Sequence, residues 1–371
     1  ERAQMLTRVL SNRSLDELQH ARVRRSAESD LRRILALGDP PREARLALAK
    51  LLTLPNGDRH EARRQLNAYL EDEDLDSTDR AEALILRGRV QRDPEKALAD
   101  FNQAIELAPD NADYKIARVL LLRAQNKLDE ALASLKKIVE SDGDNAAAML
   151  LSGQILRDQG KLEAALAAFE QAHEAAPDEP EPLQQRGEVY RQLDEFDKAV
   201  EQFTELLDRD PDAVLPRIHR AEALHKAERP DEALADIDAL LEQQPNFIPA
   251  ARLKAEIYAS QDDMDQAIAV LDEFSRKAPH ALELSLQLAL YQLVNKRPTE
   301  AIEAYSSALI ADNDNYIALR GRGDAYLNVG DHHAALEDFE RALAVREDDP
   351  ELLNNFAWLL ATSPEDDVRD G

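Results

Sequence analysis

The sequence predicts an all-α fold, a right-handed superhelical solenoid of antiparallel helix pairs with a 34-residue period. Composition is the first observation: 59 of the 371 residues are alanine, 11 are glycine, and aromatic residues make up 5%. Such a composition favours helices over strands. The second observation is an alanine column that recurs every 34 residues, at Ala97, Ala131, Ala165, Ala199, Ala233, Ala267, Ala301 and Ala335. The third is a column of helix breakers with the same period, which separates the units.

The alanine column defines the second helix of each unit. The residue after each alanine is aliphatic, and four residues after the alanine there is a large apolar side chain. These large residues are Phe101, Leu135, Phe169, Phe203, Ile237, Leu271, Tyr305 and Phe339. Because i, i+1 and i+4 lie on one face of a helix, we expect this face to be buried.

The first helix of each unit precedes the alanine column. Small or slim residues stand twelve positions before the alanine, where they allow two helices to approach closely: Val119, Gly153, Gly187, Ala221, Ala255, Ala289 and Gly323. Twelve positions after the alanine come the breakers Pro109, Gly143, Pro177, Pro211, Pro245 and Pro279. In the first unit Gly88 lies nine rather than twelve residues before Ala97, so that its first helix or turn is shortened. Each unit therefore reads as helix, turn, helix, turn.

This 34-residue unit, with small residues at positions 8 and 20, a large apolar residue at 24 and proline at 32, resembles the tetratricopeptide repeat (TPR). The resemblance covers residues 81–349 as eight repeats, which begin near Ala81, Ala112, Ala146, Pro180, Val214, Ile248, Leu282 and Tyr316. Residues 1–80 are interpreted as degenerate helical repeats, and residues 350–371 as the first helix and turn of a truncated repeat. The segment 354–371 resembles a recurring bacterial TPR signature, and we expect the chain to be a fragment of a longer bacterial protein.

Charge and composition exclude several classes of function. The formal net charge of −28 disfavours binding to phosphate backbones or anionic lipid, and the absence of cysteine excludes disulfides and thiolate chemistry. No apolar run reaches the length of a transmembrane helix. The sequence leaves the compartment open between the cytoplasm and export in a bacterium. Residues 1–50 differ, since they hold 11 basic and 7 acidic residues. A separate hypothesis is that their arginines contact nucleic acid or anionic lipid, through Arg22, Arg24, Arg25, Arg32 and Arg33.

The sequence contains few patterns that indicate a catalytic or metal-binding site, and each of them has a structural explanation. A candidate metal-binding set on one predicted first helix consists of His219, Glu222 and His225. Its two histidines are six residues apart and therefore point in different directions, which makes joint binding of one ion unfavourable. His332 and His333 are interpreted as solvated turn residues without a partner in their repeat. The segment 312–315 begins like a calcium loop but lacks its later ligands, which favours helix capping. We therefore expect no catalytic residue, cofactor or metal ion.

The resemblance implies that positions 2, 5, 9, 12 and 13 of each repeat face a concave groove. Cationic side chains occupy several of these positions, namely Arg123, Arg157, Arg191 and His225 at position 12 and Arg252 and Arg320 at position 5. They predict recognition of an acidic segment through paired hydrogen bonds to carboxylates. The alternative is that these cations neutralise local carboxylates such as Asp158, Glu188 and Glu222.

Towards the C-terminal end the same columns become apolar. The predicted apolar contact residues are Leu286, Leu290, Leu293, Leu327 and Trp358. A contiguous exposed patch of this kind is typical of a binding site, and tryptophan is a frequent anchor in interfaces. The alternative is that further repeats, or a tail folded into the groove, cover the patch.

These patterns predict a non-catalytic scaffold that binds peptide or protein segments in its groove and assembles complexes. The position-specific residues of chaperone-docking TPR domains and the asparagine ladder of sugar-transferase TPR domains do not occur here in consecutive repeats. The alternative function is an accessory TPR array of a larger multidomain enzyme or regulator, whose active domain lies outside this sequence. The partner and the oligomeric state are not predicted.

Overall fold

The structure is a computed structural model, which describes residues 17–37 and 40–369. The parts of the predicted terminal segments at residues 1–16, 38–39 and 370–371 lie outside the described residues. The described chain forms twenty helices and no strand, which confirms the predicted all-α fold. It divides into two compact units, residues 1–182 and 183–371.

The first unit is a succession of antiparallel helices that pack against their neighbours in sequence. Its helices are α1 (Glu17–Leu35), α2 (Arg42–Leu52), α3 (Arg59–Leu70), α4 (Ser77–Val90), α5 (Pro94–Leu107), α6 (Ala112–Ala124), α7 (Leu128–Ser141), α8 (Ala146–Asp158) and α9 (Leu162–Ala175). The predicted boundary between residues 80 and 81 falls inside α4. This helix begins earlier because the Asp76 side chain caps it by accepting a hydrogen bond from the Asp79 amide.

The second unit repeats the same arrangement. Its helices are α10 (Glu181–Gln192), which begins just before the unit boundary, α11 (Phe196–Arg209), α12 (Val214–Lys226), α13 (Pro230–Gln243), α14 (Ile248–Ser260), α15 (Met264–Lys277), α16 (Leu282–Val294), α17 (Pro298–Ala311), α18 (Tyr316–Val329), α19 (His332–Val345) and α20 (Pro350–Thr362). The even-numbered helices are the first helices of their repeats, and the odd-numbered ones are the second helices.

The core of each repeat lies between its two helices, where a small residue on the first helix faces a large residue on the second. Phe169, Phe203 and Phe339 are each 0% exposed. The absence of a side chain at Gly153 makes room for the first of these rings, because a Cβ atom there would lie 2.5 Å from Cδ1 of Phe169. The glycine and the phenylalanine columns are therefore two halves of one contact. The same contact joins Gly88 to the ring at position 101, where the Cβ distance would be 2.4 Å.

Buried ion pairs add a polar contact to several repeats. Asp236 and Asp338 lie on second helices and are 4% and 2% exposed. Arg220 donates two hydrogen bonds to Asp236, at 2.7 and 2.6 Å, and Arg322 donates two to Asp338, at 2.7 and 2.8 Å. A third nitrogen of each guanidinium donates to a hydroxyl on the preceding second helix. These arginines thus hold three consecutive helices together.

In seven successive repeats, from α6 to α19, the turn between the two helices contains one residue with a left-handed backbone. Their φ angles lie between 57° and 82°, at Asn126, Gly160, Asp194, Glu228, Asp262, Lys296 and Gly330. The backbone amide of the residue after the left-handed one donates to a carbonyl of the last helical turn, five residues earlier. For example, the Arg229 amide donates to the Leu224 carbonyl at 2.9 Å. This five-residue return is the Schellman helix ending, which favours glycine at the left-handed position. Only two of the seven residues are glycine.

Candidate functional site

The first helices of the second unit line an open groove of about 700 Å³. Residues from α10, α12, α14 and α16, from the turn after α10 and from the first residue of α11 form it: Glu188, Arg191, Gln192, Asp194, Phe196, Glu222, His225, Lys226, Pro249, Arg252, Leu253, Glu256 and Gln287. Three of the predicted contact residues, Arg191, His225 and Arg252, are among them. Four successive repeats therefore contribute to one wall.

The cations of this wall pair with carboxylates of the following repeat. Nη2 of Arg191 lies 2.5 Å from Oε2 of Glu222, and both side chains are about one-third exposed. Nη1 of Arg252 donates to Glu283 at 2.6 Å, and its Nε donates to Oε1 of Gln287 at 3.0 Å. Each carboxylate comes 31 residues after its arginine, which places it on the next first helix. The groove surface is thus a series of neutralised pairs.

The same pairing continues beyond the groove. Arg320 on α18 contacts Glu351 on α20, and its Nη1 lies 3.7 Å from Oδ2 of Asp349. In the first unit Arg123 pairs with Asp158 at 2.6 Å. Arg157 also lies in the first unit, on α8, so that the predicted row of four cations is divided between the two units.

The alternative interpretation of the cations is that Asp158, Glu188 and Glu222 neutralise them. Two of these carboxylates do pair with predicted contact arginines, Asp158 with Arg123 and Glu222 with Arg191.

The two histidines of α12 carry little charge at neutral pH. Burial lowers the pKa of His219, and the nearby positive charge of Arg191 lowers it further. Burial likewise lowers the pKa of His225, whose Nε2 lies 3.7 Å from Oε1 of Glu256. Because both imidazoles remain neutral, His225 presents a polar but uncharged edge to the groove rather than the cation that its column suggested.

Exposed apolar side chains continue the same wall towards the C-terminal end. Leu290, Val294 and Trp358 are 51%, 60% and 55% exposed. Leu290 and Val294 share one face of α16 with the groove residue Gln287, since they follow it by three and seven positions. The other predicted apolar residues, Leu286, Leu293 and Leu327, are half-buried because they pack against the core of the second unit.

An acidic side chain, Asp324, lies between Leu290 and Trp358 in the same position of successive repeats. Asp324 stands at the position of α18 that Leu290 occupies in α16 and Trp358 in α20. Burial raises the pKa of Asp324, and Nδ2 of Asn355 donates to its Oδ1 at 2.9 Å. The wall therefore alternates apolar, acidic and apolar side chains over three repeats.

The interpretation of His332 and His333 as solvated turn residues is wrong in part: both lie in the first turn of α19, and both have partners outside their own repeat. Nδ1 of His332 lies 3.0 Å from Oγ of Ser363, and Nε2 of His333 lies 3.1 Å from Oε2 of Glu365. Both partners come from the turn after α20, one repeat later, and a search for partners within the repeat could not find them.

The basic N-terminal segment is partly neutralised within the first unit. Arg24 donates to Glu28 at 2.9 Å and to the Pro55 carbonyl at 2.6 Å, and Arg32 pairs with Glu61 at 2.8 Å. Arg25 donates to the Ala21 carbonyl at 3.3 Å, so that three of the five arginines in the nucleic-acid or lipid hypothesis have intramolecular partners. No helix among the described residues combines the length and apolar character needed to cross a bilayer.

Comparison with known proteins agrees with this architecture. A tetratricopeptide repeat model matches residues 89–145, 116–180, 252–316 and 320–367, and a second one matches residues 156–224. None of the curated proteins matches the sequence. These family matches together cover more than half of the chain.

Two of the similar solved structures are described as tetratricopeptide repeat proteins. The C-terminal part of a TPR repeat-containing protein from Cytophaga hutchinsonii is 18% identical, covers 65% of this chain and 97% of its own, and gives a TM-score of 0.53. A tetratricopeptide repeat protein from Parabacteroides merdae is 19% identical, with 67% and 98% coverage and a TM-score of 0.49. The Cut9-Hcn1 hetero-tetramer of APC/C matches at 15% identity, with 92% and 67% coverage and a TM-score of 0.40. The repeat period, the helix pairs and the family matches agree, and the chain belongs to the tetratricopeptide repeat family.

Proposed function

We propose that this chain is a non-catalytic interaction scaffold, which binds an extended segment of a partner protein along the first helices of residues 183–371. The observation that carries the proposal is the open groove to which four successive repeats contribute side chains. Extended concave surfaces of stacked repeats suit the binding of extended chains. The groove includes cations with carboxylate partners, such as Arg191 with Glu222, and a carboxylate of a bound segment can replace such a partner.

The partner segment carries acidic side chains that bind Arg191 and Arg252. Exposed ion pairs of this kind contribute under about 1 kcal/mol, so that a ligand carboxylate replaces the internal partner at little cost. The exchange is easiest at Arg252, whose partner Glu283 is 70% exposed. A guanidinium binds a carboxylate with two parallel hydrogen bonds where the geometry allows, which gives the exchange its specificity.

Apolar side chains of the same segment bind the patch at Leu290 and Trp358. A tryptophan that is 55% exposed offers a large ring for burial. Covering on the order of 100 Å² of such a ring stabilises a complex by about 2–3 kcal/mol. The apolar anchors therefore supply more binding energy than the ion pairs, and the ion pairs set the register of the segment.

A binding experiment with matched variants tests the proposal. Partners recovered by affinity purification are identified, and their binding to purified variants is measured. We expect Arg191→Glu with Arg252→Glu, and separately Leu290→Ala with Trp358→Ala, to weaken binding at least tenfold. The controls are Arg276→Glu, at a side chain that is 77% exposed on a second helix, and Val345→Ala. Equal binding by all four variants would contradict the assignment of the wall.

A further inference from the structure

Three potential metal ligands converge where the last two described helical elements meet. His333 lies in the first turn of α19, and Glu365 and Asp367 lie in the turn that follows α20. Nε2 of His333 is 3.1 Å from Oε2 of Glu365 and 3.4 Å from Oδ2 of Asp367. The three ligand atoms all lie within 4.8 Å of one another. We propose that His333, Glu365 and Asp367 bind a divalent transition-metal ion, with zinc as the best match.

The contact between His333 and Glu365 is short without being a hydrogen bond. Oε2 of Glu365 is buried and has no hydrogen-bond partner, although the imidazole nitrogen is 3.1 Å away. A hydrogen bond requires the N–H to point at its acceptor. A buried carboxylate oxygen without a donor is costly, and a cation between the ligand atoms removes that cost.

The distances agree with coordination by one small ion. Zinc binds imidazole nitrogen and carboxylate oxygen at about 2.0–2.1 Å with tetrahedral angles, which places neighbouring ligand atoms about 3.3–3.4 Å apart. The two observed nitrogen–oxygen distances of 3.1 and 3.4 Å lie close to this value. One imidazole with two carboxylates is a donor set that suits zinc, whereas calcium and magnesium take oxygen ligands almost exclusively.

The turn that carries the two carboxylates is held in place independently of them. Ser363 and Val368, which flank the ligands, are 1% and 2% exposed. Oγ of Ser363 contacts His332 beside the histidine ligand, and the Val368 amide donates to the Glu365 carbonyl at 3.1 Å. Packing thus fixes the backbone of this turn next to α19, while the side chains of His333 and Asp367 are 56% and 74% exposed and accessible to an ion from solvent. An ion bound there would join the turn to the beginning of α19.

An ion pair without metal is the competing explanation. In earlier repeats of the second unit the equivalent positions hold a carboxylate and an arginine: Asp197 with Arg229 at 3.2 Å, and Asp265 with Arg297 at 2.6 Å. At His333 and Glu365 the order of the acidic and the basic residue is reversed. Asp367 then adds a second carboxylate beside the same imidazole, and a divalent cation can neutralise two carboxylates at once.

Zinc titration separates these explanations. Isothermal calorimetry and thermal unfolding are measured on the metal-free 371-residue chain with zinc chloride, and with calcium chloride for comparison. We expect one zinc ion per chain and a zinc-dependent rise in the unfolding midpoint. His333→Ala and Asp367→Asn should weaken zinc binding at least tenfold. His280→Ala and Asp366→Asn are the controls, because both residues are exposed and Asp366 lies in the same turn.

Circular dichroism verifies that each variant retains its helices. Retained zinc binding in both control variants, together with its loss in both ligand variants, supports the site. The proposal is overturned if the wild-type chain binds no zinc at millimolar concentration. It is also overturned if His333→Ala and His280→Ala bind with the same stoichiometry and affinity, since that pattern indicates scattered surface ligands.

Discussion

Replacing Gly153 by alanine tests the packing contact on which the repeats depend. Alanine is the better helix former, and in an exposed helix this change stabilises by about 1 kcal/mol. Here the added Cβ atom would lie 2.5 Å from both Cδ1 and Cε1 of Phe169 and 2.9 Å from its Cζ. The ring is 0% exposed and packed on all sides, so that it cannot move away without displacing its neighbours.

The expected change in the free energy of unfolding is the difference between the cost of overpacking and the gain in helix propensity. Overpacking a filled core costs about 1–3 kcal/mol, and distances this short favour the upper end of that range. After subtracting the gain of about 1 kcal/mol from helix propensity, we expect Gly153→Ala to lower the free energy of unfolding by about 1–2 kcal/mol. The sign is therefore opposite to that expected for an exposed helical glycine.

Urea unfolding followed by circular dichroism measures the effect, with Gly143→Ala as the control. A Cβ atom at Gly143 would meet nothing within 4 Å, and we expect a change under about 0.5 kcal/mol there. Leucine at position 169 relieves the clash, so that the double variant Gly153→Ala with Phe169→Leu should be less destabilised than the sum of its single variants. Unchanged or increased stability of Gly153→Ala would refute the reasoning.

Three further changes test other features of the fold. Asp236→Asn gives the guanidinium groups of Arg220 and Arg217 a weaker acceptor, and we expect it to destabilise by about 3 kcal/mol in urea unfolding. Asp238→Asn on the same helix, at a side chain that is 56% exposed, should cost under about 1 kcal/mol. Similar effects of the two would contradict the role of the buried pair. Glu228→Gly removes a side chain from a residue with a left-handed backbone (φ 59°), and glycine already occupies the equivalent position at Gly330. We expect this change to raise the free energy of unfolding by about 1 kcal/mol and the urea midpoint with it. A lower midpoint would refute this. Because the pKa of folded His219 lies below the ordinary value of 6.5, the unfolded chain binds a proton first as the pH falls through 6.5, and stability should fall with it. His219→Asn should flatten that decrease in a pH series of unfolding curves, and an equally steep decrease in the variant would show that other groups cause it.

The repeat architecture was predictable because it depends on contacts within one period. The alanine, glycine and phenylalanine columns recur at fixed spacing, and each pair of columns, such as Gly153 and Phe169, is one side-chain contact. The sequence therefore identified the helix pairs and their buried faces correctly. The repeat pattern, which begins near Ala81, does not include the Asp76 cap at which α4 begins in the structure.

The details of the candidate site depend on contacts between repeats, which a reading of single columns misses. The alternative interpretation named Glu222, which pairs with Arg191, but it did not name Glu283, which lies 31 residues after its partner Arg252 and becomes visible only when columns of successive repeats are compared. The partners of His332 and His333 were missed for the same reason. The left-handed turn position was also missed, since residues such as Glu228 and Lys296 occupy it, although its glycine, asparagine and aspartate members at 34-residue spacing were a usable signal.

Site-specific photo-crosslinking tests most directly whether the wall of first helices binds the partner. A photoreactive amino acid replaces Leu290 on the wall in one variant and Val345 on a second helix in another, two aliphatic side chains that are both 51% exposed. We predict that irradiation in the native cell extract yields a discrete adduct with a partner protein from position 290, and that the Arg191→Glu with Arg252→Glu variant loses it. Adducts of the same proteins in the same yield from positions 290 and 345 would contradict the proposed binding surface.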